Sequence, residues 1–315
     1  MTKSLFTIIL ASLLTLTACS PAADTKESSD AAPTEVTTET TTEAATEEVT
    51  EAPTEKSTET EIKDISDTKK QLTCYIDGSK VSGAIYLPKD DGVFPTVIMI
   101  SGMNTTYLSL EEDAKKIAEE GIAVVTFDCR GYCIGHSAKQ GKYTEISLSS
   151  SASDIMEITD IISVYPAIDK ENIFIWGHSY GGLITSNAAA ENSDRFKGLI
   201  GVDPSYQMPD EYRLNYLGTT DMPNANSLDS SLTNSLKELV TTDIFEKLKS
   251  YKNNAVIITG TEYTIDTDYP EIFKKALESM PQAEKIVVDG ADHGFTKHRE
   301  ELIQYTVDFV KENID

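Results

Sequence analysis

The sequence predicts an α/β fold, a mostly parallel central sheet with helices on both faces and a small inserted segment. Three observations carry this. From about residue 68 onward, short apolar runs alternate with amphipathic stretches of helical period. The runs at 96–100 and 122–127 are apolar without a polar alternation, the pattern of strands covered on both faces. The helical stretches between successive runs supply the crossovers that parallel strands need.

In chain order, 72–76 and 81–87 read as neighbouring strands joined by the turn Asp77-Gly78. The strand at 96–100 follows, then a helix over 111–120 that stops at Gly121, then the strand at 122–127. An amphipathic helix over 152–164 ends near Pro166. A strand at 172–176 runs into an alanine-rich helix over 180–190. Further strands are expected at 198–202, 255–259 and 285–288, and further helices at 271–279 and 297–311. The segment 204–252 breaks the alternation and is long for a connector. It holds an expected helix over 232–248 and the aromatic residues Tyr206, Tyr212 and Tyr216, and is read as a lid insertion.

The chain ahead of this domain has a different character. Residues 1–18 combine Lys3 with the apolar run 5–16, too short for a comfortable membrane span. The run ends Leu16-Thr17-Ala18-Cys19, which resembles the lipobox of bacterial lipoproteins. That resemblance implies cleavage before Cys19, a diacylglycerol on its thiol, and a membrane-anchored protein on the extracytoplasmic face. Residues 19–67 are dominated by Thr, Glu, Ala, Ser and Pro and bury too little apolar surface to offset the entropy of ordering. They are expected to form a disordered tether with a reach of about 35–40 Å. The domain proper is expected over 68–315.

The formal charge of −25 argues against nucleic acid and against acidic lipid as partners. The four cysteines, Cys19, Cys74, Cys129 and Cys133, include no metal-ligand C-x-x-C pair and no accompanying histidine cluster. Cys129 and Cys133 are near enough in sequence to bridge in an oxidising compartment, and they read equally well as small buried hydrophobes.

One constellation carries chemistry. Gly177-His178-Ser179-Tyr180-Gly181-Gly182 fits the G-x-S-x-G nucleophile elbow, with an apolar strand before it and a small-residue helix after it. Such a bend exposes the Ser179 hydroxyl at a helix N-terminus, whose partial positive charge favours a developing oxyanion. A serine needs a base, and histidine suits because its ordinary pKa lies near neutrality. Of His136, His178, His293 and His298, only His293 lies in a loop directly after the last strand, within Gly290-Ala291-Asp292-His293-Gly294-Phe295.

Together with Asp128-Cys129-Arg130-Gly131 and the following Gly135, these motifs resemble the α/β-hydrolase superfamily, nearest to dienelactone hydrolases and serine-aminopeptidase-like esterases. The resemblance implies hydrolysis of a small-molecule ester through an acyl-enzyme, with no metal or organic cofactor. It implies an oxyanion hole from the backbone N–H groups of Tyr180 and Met103, although Ser101 stands where relatives often carry histidine. It expects the triad acid soon after the strand at 255–259, but that slot holds Tyr263. Asp266, Asp268 or Glu262 could serve from a rearranged loop, with Asp266 ranked first and Asp203, at the end of the preceding strand, a close second. A peptidase or amidase on the same scaffold, and a non-catalytic surface-binding lipoprotein, are the alternative readings.

Overall fold

In the computed structural model, which describes residues 59–130, 147–262 and 269–314, the expected apolar runs line up side by side. The strands are β1 (Thr60–Asp64), β2 (Lys69–Ile76), β3 (Ser79–Tyr86), β4 (Phe94–Ile100), β5 (Ala123–Phe127), β6 (Ile168–His178), β7 (Gly198–Val202), β8 (Asn254–Glu262) and β9 (Ala283–Asp292). Among the described residues they form one sheet in the order β1-β2-β3-β5-β4-β6-β7-β8-β9. The pairs along β1, β2, β3 and β5 are antiparallel, and every pair from β5 through β4 to β9 is parallel.

The pleat explains why the central strands show no polar alternation. Ile98, Ile100, Ile173 and Ile175 face one core cluster, while Val97, Met99, Phe174 and Trp176 face the other. The first cluster also takes in Ile155 and Ile158 of α2 (Leu148–Ser163) and Leu183 and Ile184 of α3 (Tyr180–Glu191). The second takes in Ala114 and Ile117 of α1 (Glu111–Glu119) and Leu302 and Val307 of α8 (Arg299–Asn313). Helices therefore cover both faces, and each buried aliphatic or aromatic side chain contributes roughly 1.5–3 kcal/mol. At the β2–β3 hairpin, Asp77 (φ 48°) and Gly78 (φ 77°) both take positive φ, as a two-residue turn with the right twist requires.

The structure departs from the sequence expectations in two described places. Regular structure is present ahead of residue 68, because β1 lies inside the stretch read as tether and pairs antiparallel with β2. Its single apolar side chain, Ile62, packs against the core. An edge strand held mainly by its backbone ladder leaves little trace in composition.

The insertion also differs. It contains α4 (Met208–Leu217), which the sequence reading did not anticipate. The expected 232–248 helix is two, α5 (Asn234–Thr241) and α6 (Ile244–Leu248). Thr242 is extended between them, and the Asp243 side chain caps α6 by accepting from Glu246 N. The buried Arg213 guanidinium binds the insertion together, donating to the carbonyls of Thr220, Val240 and Thr242 and pairing with Asp210. Tyr206 belongs to the core, with its hydroxyl 2.7 Å from Ser186 Oγ.

Cys19, the signal expected at 1–18, most of the expected tether, Cys133 and Asp266 lie outside the described residues. α7 (Tyr269–Ser279) resumes the chain between β8 and β9.

Candidate active site

The site forms at the C-terminal ends of β6, β7 and β9, the edge where open α/β sheets present their crevice. Register sets it up. His178 of β6 stands level with Val202 of β7, and Val202 with Ile258 of β8. The next residues along each strand, Ser179, Asp203 and Thr259, therefore emerge together.

Ser179 is the N-cap of α3 and has φ 57° and ψ −123°, a conformation an L-residue adopts only under constraint. The constraint is steric. A Cβ on Gly177 would collide with Thr185 Oγ1 and the Gly181 carbonyl, and one on Gly181 would collide with the carbonyl oxygens of Ser101 and Ile100. Strand, helix and the loop after β4 approach so closely at this point that only glycine fits. The Tyr180 N–H then stands at the first residue of α3, at the positive end of the helix dipole. The loop carrying Met103 lies against the same bend, since a Cβ on Gly102 would stand 3.4 Å from Ser179 Cβ. Asn104 holds that loop's shape at φ 62°, and Thr105 Oγ1 donates to the Gly102 carbonyl at 2.6 Å.

His293 Nε2 is 3.0 Å from Ser179 Oγ. Its Nδ1 is 3.5 Å from Asp203 Oδ2, at the outer limit of a hydrogen bond. Asp203 is fully buried, at φ 38°. Its Oδ1 accepts from Thr259 Oγ1 at 2.6 Å, and its N–H donates to the Ile258 carbonyl at 2.9 Å. Among the described residues Oδ2 makes no hydrogen bond shorter than this approach, and it stands toward the Nδ1 side of the imidazole. A carboxylate accepts only, which sets His293 as the Nδ1–H tautomer and leaves Nε2 to accept the Ser179 proton.

The loop bearing His293 is held from several sides. Phe295 is buried beneath it, and Arg299, paired with Asp113 of α1, donates to the Gly294 carbonyl at 3.1 Å. Asp292 accepts from Thr296 N at 2.7 Å, and that bond holds its carboxyl below the usual range.

His178 takes a place the sequence reading did not give it. Its Nε2 is 2.7 Å from the His293 carbonyl, and the two rings lie 4.9 Å apart. Because a carbonyl only accepts, Nε2 carries the proton. His178 keeps slight solvent exposure, yet the ring is surrounded closely enough that burial, with His293 beside it, pushes its pKa down to about 4. A neutral His178 thus anchors the backbone of His293. The residue next to a nucleophile carries no local sign of such a contact.

Ser205 was likewise missed. Its Oγ lies 3.3 Å from Ser179 Oγ. Of the other singled-out histidines, His298 pairs with Glu301 on α8, and His136 lies outside the described residues. Among the described residues, no group of three or more His, Cys, Asp or Glu is placed to hold a metal ion.

Comparison with known proteins bears on the fold and the family. The family model described as serine aminopeptidase, S33, matches residues 93–288. Esterase FrsA of Escherichia fergusonii is 29% identical over 130 residues, 40% of this chain and 29% of that protein. The chain thus spans well under half the length of the curated esterases it matches. Among solved structures, Est1E from Butyrivibrio proteoclasticus superposes with a TM-score of 0.63 at 19% identity, covering 77% of this chain and 98% of that one. A dienelactone hydrolase from Anabaena variabilis does so with a TM-score of 0.56 at 14% identity, covering 78% and 98%. These likenesses establish the α/β-hydrolase fold, and the match over 93–288 shows that the chain belongs to the serine aminopeptidase, S33, family of hydrolases.

Proposed function

We propose that this hydrolase cleaves carboxylic esters of small molecules through an acyl-enzyme on Ser179. The observation that carries the reading is the 3.0 Å contact between Ser179 Oγ, held at positive φ, and His293 Nε2. In the proposed cycle His293 takes the Ser179 proton as Oγ attacks the ester carbonyl, then returns it to the departing alcohol. Asp203 keeps the imidazole in the required tautomer and stabilises the imidazolium. The backbone N–H groups of Tyr180 and Met103 receive the oxyanion, and losing one such donor typically costs about 3–4 kcal/mol of barrier. Water then repeats the sequence on the acyl-enzyme.

The full chain, assayed on short-chain p-nitrophenyl esters beside Ser179→Ala, tests this. The reading expects turnover in the wild type and a loss of about 10⁴-fold or more in the variant. Full activity in Ser179→Ala would refute it. Methyl ferulate belongs in the same panel, because Est1E is also solved with ferulic acid bound. The family description names an aminopeptidase, so aminoacyl anilides are the counter-substrate. Their steady cleavage without ester turnover would favour an amidase.

We also propose that the protein is anchored through lipid on Cys19 at the extracytoplasmic face of the membrane. The Leu16-Thr17-Ala18-Cys19 sequence after an apolar run supports this. Detergent-phase partitioning that persists in Cys19→Ala would count against it.

A further inference from the structure

The Ser205 hydroxyl has no part in the relay described above, yet it lies beside the reacting oxygen. Its position is fixed by the backbone on both sides of the elbow. Ser179 N donates to the Val202 carbonyl at 2.9 Å, and Ser205 N donates to the Ser179 carbonyl at 2.9 Å. The segment 202–205 therefore runs hydrogen-bonded alongside the nucleophile, and Ser205, 7% exposed, has its Oγ 3.3 Å from Ser179 Oγ.

The direction of that hydrogen bond follows from proton counting. Ser179 has one hydroxyl proton, and the Nδ1–H tautomer imposed on His293 draws it to Nε2. Ser179 Oγ is then left with lone pairs toward Ser205, so Ser205 is the donor. We propose that Ser205 is a further catalytic residue, a hydroxyl that hydrogen-bonds Ser179 Oγ and serves chiefly when that oxygen leaves the acyl group. This rests on the acyl-enzyme reading above.

The two half-reactions use such a donor differently. Before acylation, Ser179 Oγ already accepts from Ser205, so little is gained on reaching the transition state. In the acyl-enzyme, Oγ is an ester oxygen and a poor acceptor. When the tetrahedral intermediate formed by water collapses, the carbon–Oγ bond breaks and Oγ takes the electron pair while His293 Nε2–H delivers its proton. The Ser205 bond becomes charge-assisted at that moment, the condition under which hydrogen bonds are strongest. Ser205 keeps its own proton throughout.

The test uses the full chain, p-nitrophenyl acetate, and the variants Ser205→Ala and Ser205→Thr, with intact mass spectrometry during turnover. Ser205→Ala is expected to lower kcat about 10-fold or more, while kcat/KM, which reports acylation of this activated ester, falls much less. The acetylated fraction at steady state is expected to rise, and Ser205→Thr, which keeps the hydroxyl, to restore kcat. Unchanged kcat, or kcat and kcat/KM falling equally with no extra acetyl-enzyme, would overturn the assignment. Wild-type protein that never carries the acetyl group would overturn the acyl-enzyme reading itself, and this inference with it.

Discussion

Ser179 and Asp203 both sit just past the C-terminal end of a central parallel strand, and both hold a non-glycine backbone at positive φ, 57° and 38°. They are constrained by different means. At Ser179 the bend is enforced by its own neighbours, Gly177 and Gly181, where any Cβ would strike backbone or Thr185. At Asp203 the constraint comes from distant chain, the Ile258 carbonyl on its N–H and the Thr259 hydroxyl on its carboxylate. A bend flanked by its own glycines shows in the sequence. One built from tertiary contacts gives its residue a position only in the finished sheet.

That contrast is sharpest in the acid. Asp203→Asn should leave the fold in place and lower kcat on p-nitrophenyl esters by about 10⁴-fold, because the amide favours the wrong imidazole tautomer. Asp266→Asn should stay within a few-fold of wild type. The reverse ranking would move the acid to the loop after β8.

The elbow is broken more directly. Gly181→Ala drives a methyl into the carbonyls of Ser101 and Ile100 and should cost about 3 kcal/mol, the upper range for overpacking. The midpoint of urea denaturation reads this, and an unshifted midpoint would mean that the loop after β4 yields freely.

His178 links the two regions, since it sits in the elbow and holds the backbone of His293. In the folded protein its ring binds a proton only near pH 4, against an ordinary value of 6.5. Between those values the unfolded chain binds more protons, so stability should fall as pH drops through that window, by at most about 3 kcal/mol. Asp154, whose burial pushes its carboxyl up to about 6 despite its bonds to Arg130, acts with the opposite sign between 3.8 and 6. The His178 contribution is therefore read as the difference between wild type and His178→Asn in thermal melts at pH 7 and pH 4.5. Equal pH dependence in both proteins would mean that the ring titrates normally.

The smallest effect lies where the insertion leaves the site. Tyr206→Phe removes the hydroxyl that meets Ser186 Oγ in the core and should cost about 1 kcal/mol without changing turnover. A large loss of kcat instead would tie the Tyr206–Ser186 contact to the chemistry.

The same contrast explains what could be read from the sequence. The strands themselves, the two-faced core and the elbow were legible because each depends on a local pattern, apolar runs for the sheet and flanking glycines for the bend. The loop position of His293 was legible from its place after the last strand. Ser205, His178 and Thr259 were not, because their contacts join segments 26, 115 and 56 residues apart. The break between α5 and α6 hid for a related reason, since Asp243 reads as an ordinary helix-surface residue until its side chain is seen capping Glu246 N.

The central claim is that Ser179, activated by His293, is the nucleophile. Incubating the folded wild-type chain with a fluorophosphonate and mapping the adduct by peptide mass spectrometry tests it most directly. The account predicts a single adduct on Ser179, none in Ser179→Ala, and labelling about 10³-fold slower or worse in His293→Ala. A folded wild-type protein that takes no label, or takes it on another residue, would contradict the account.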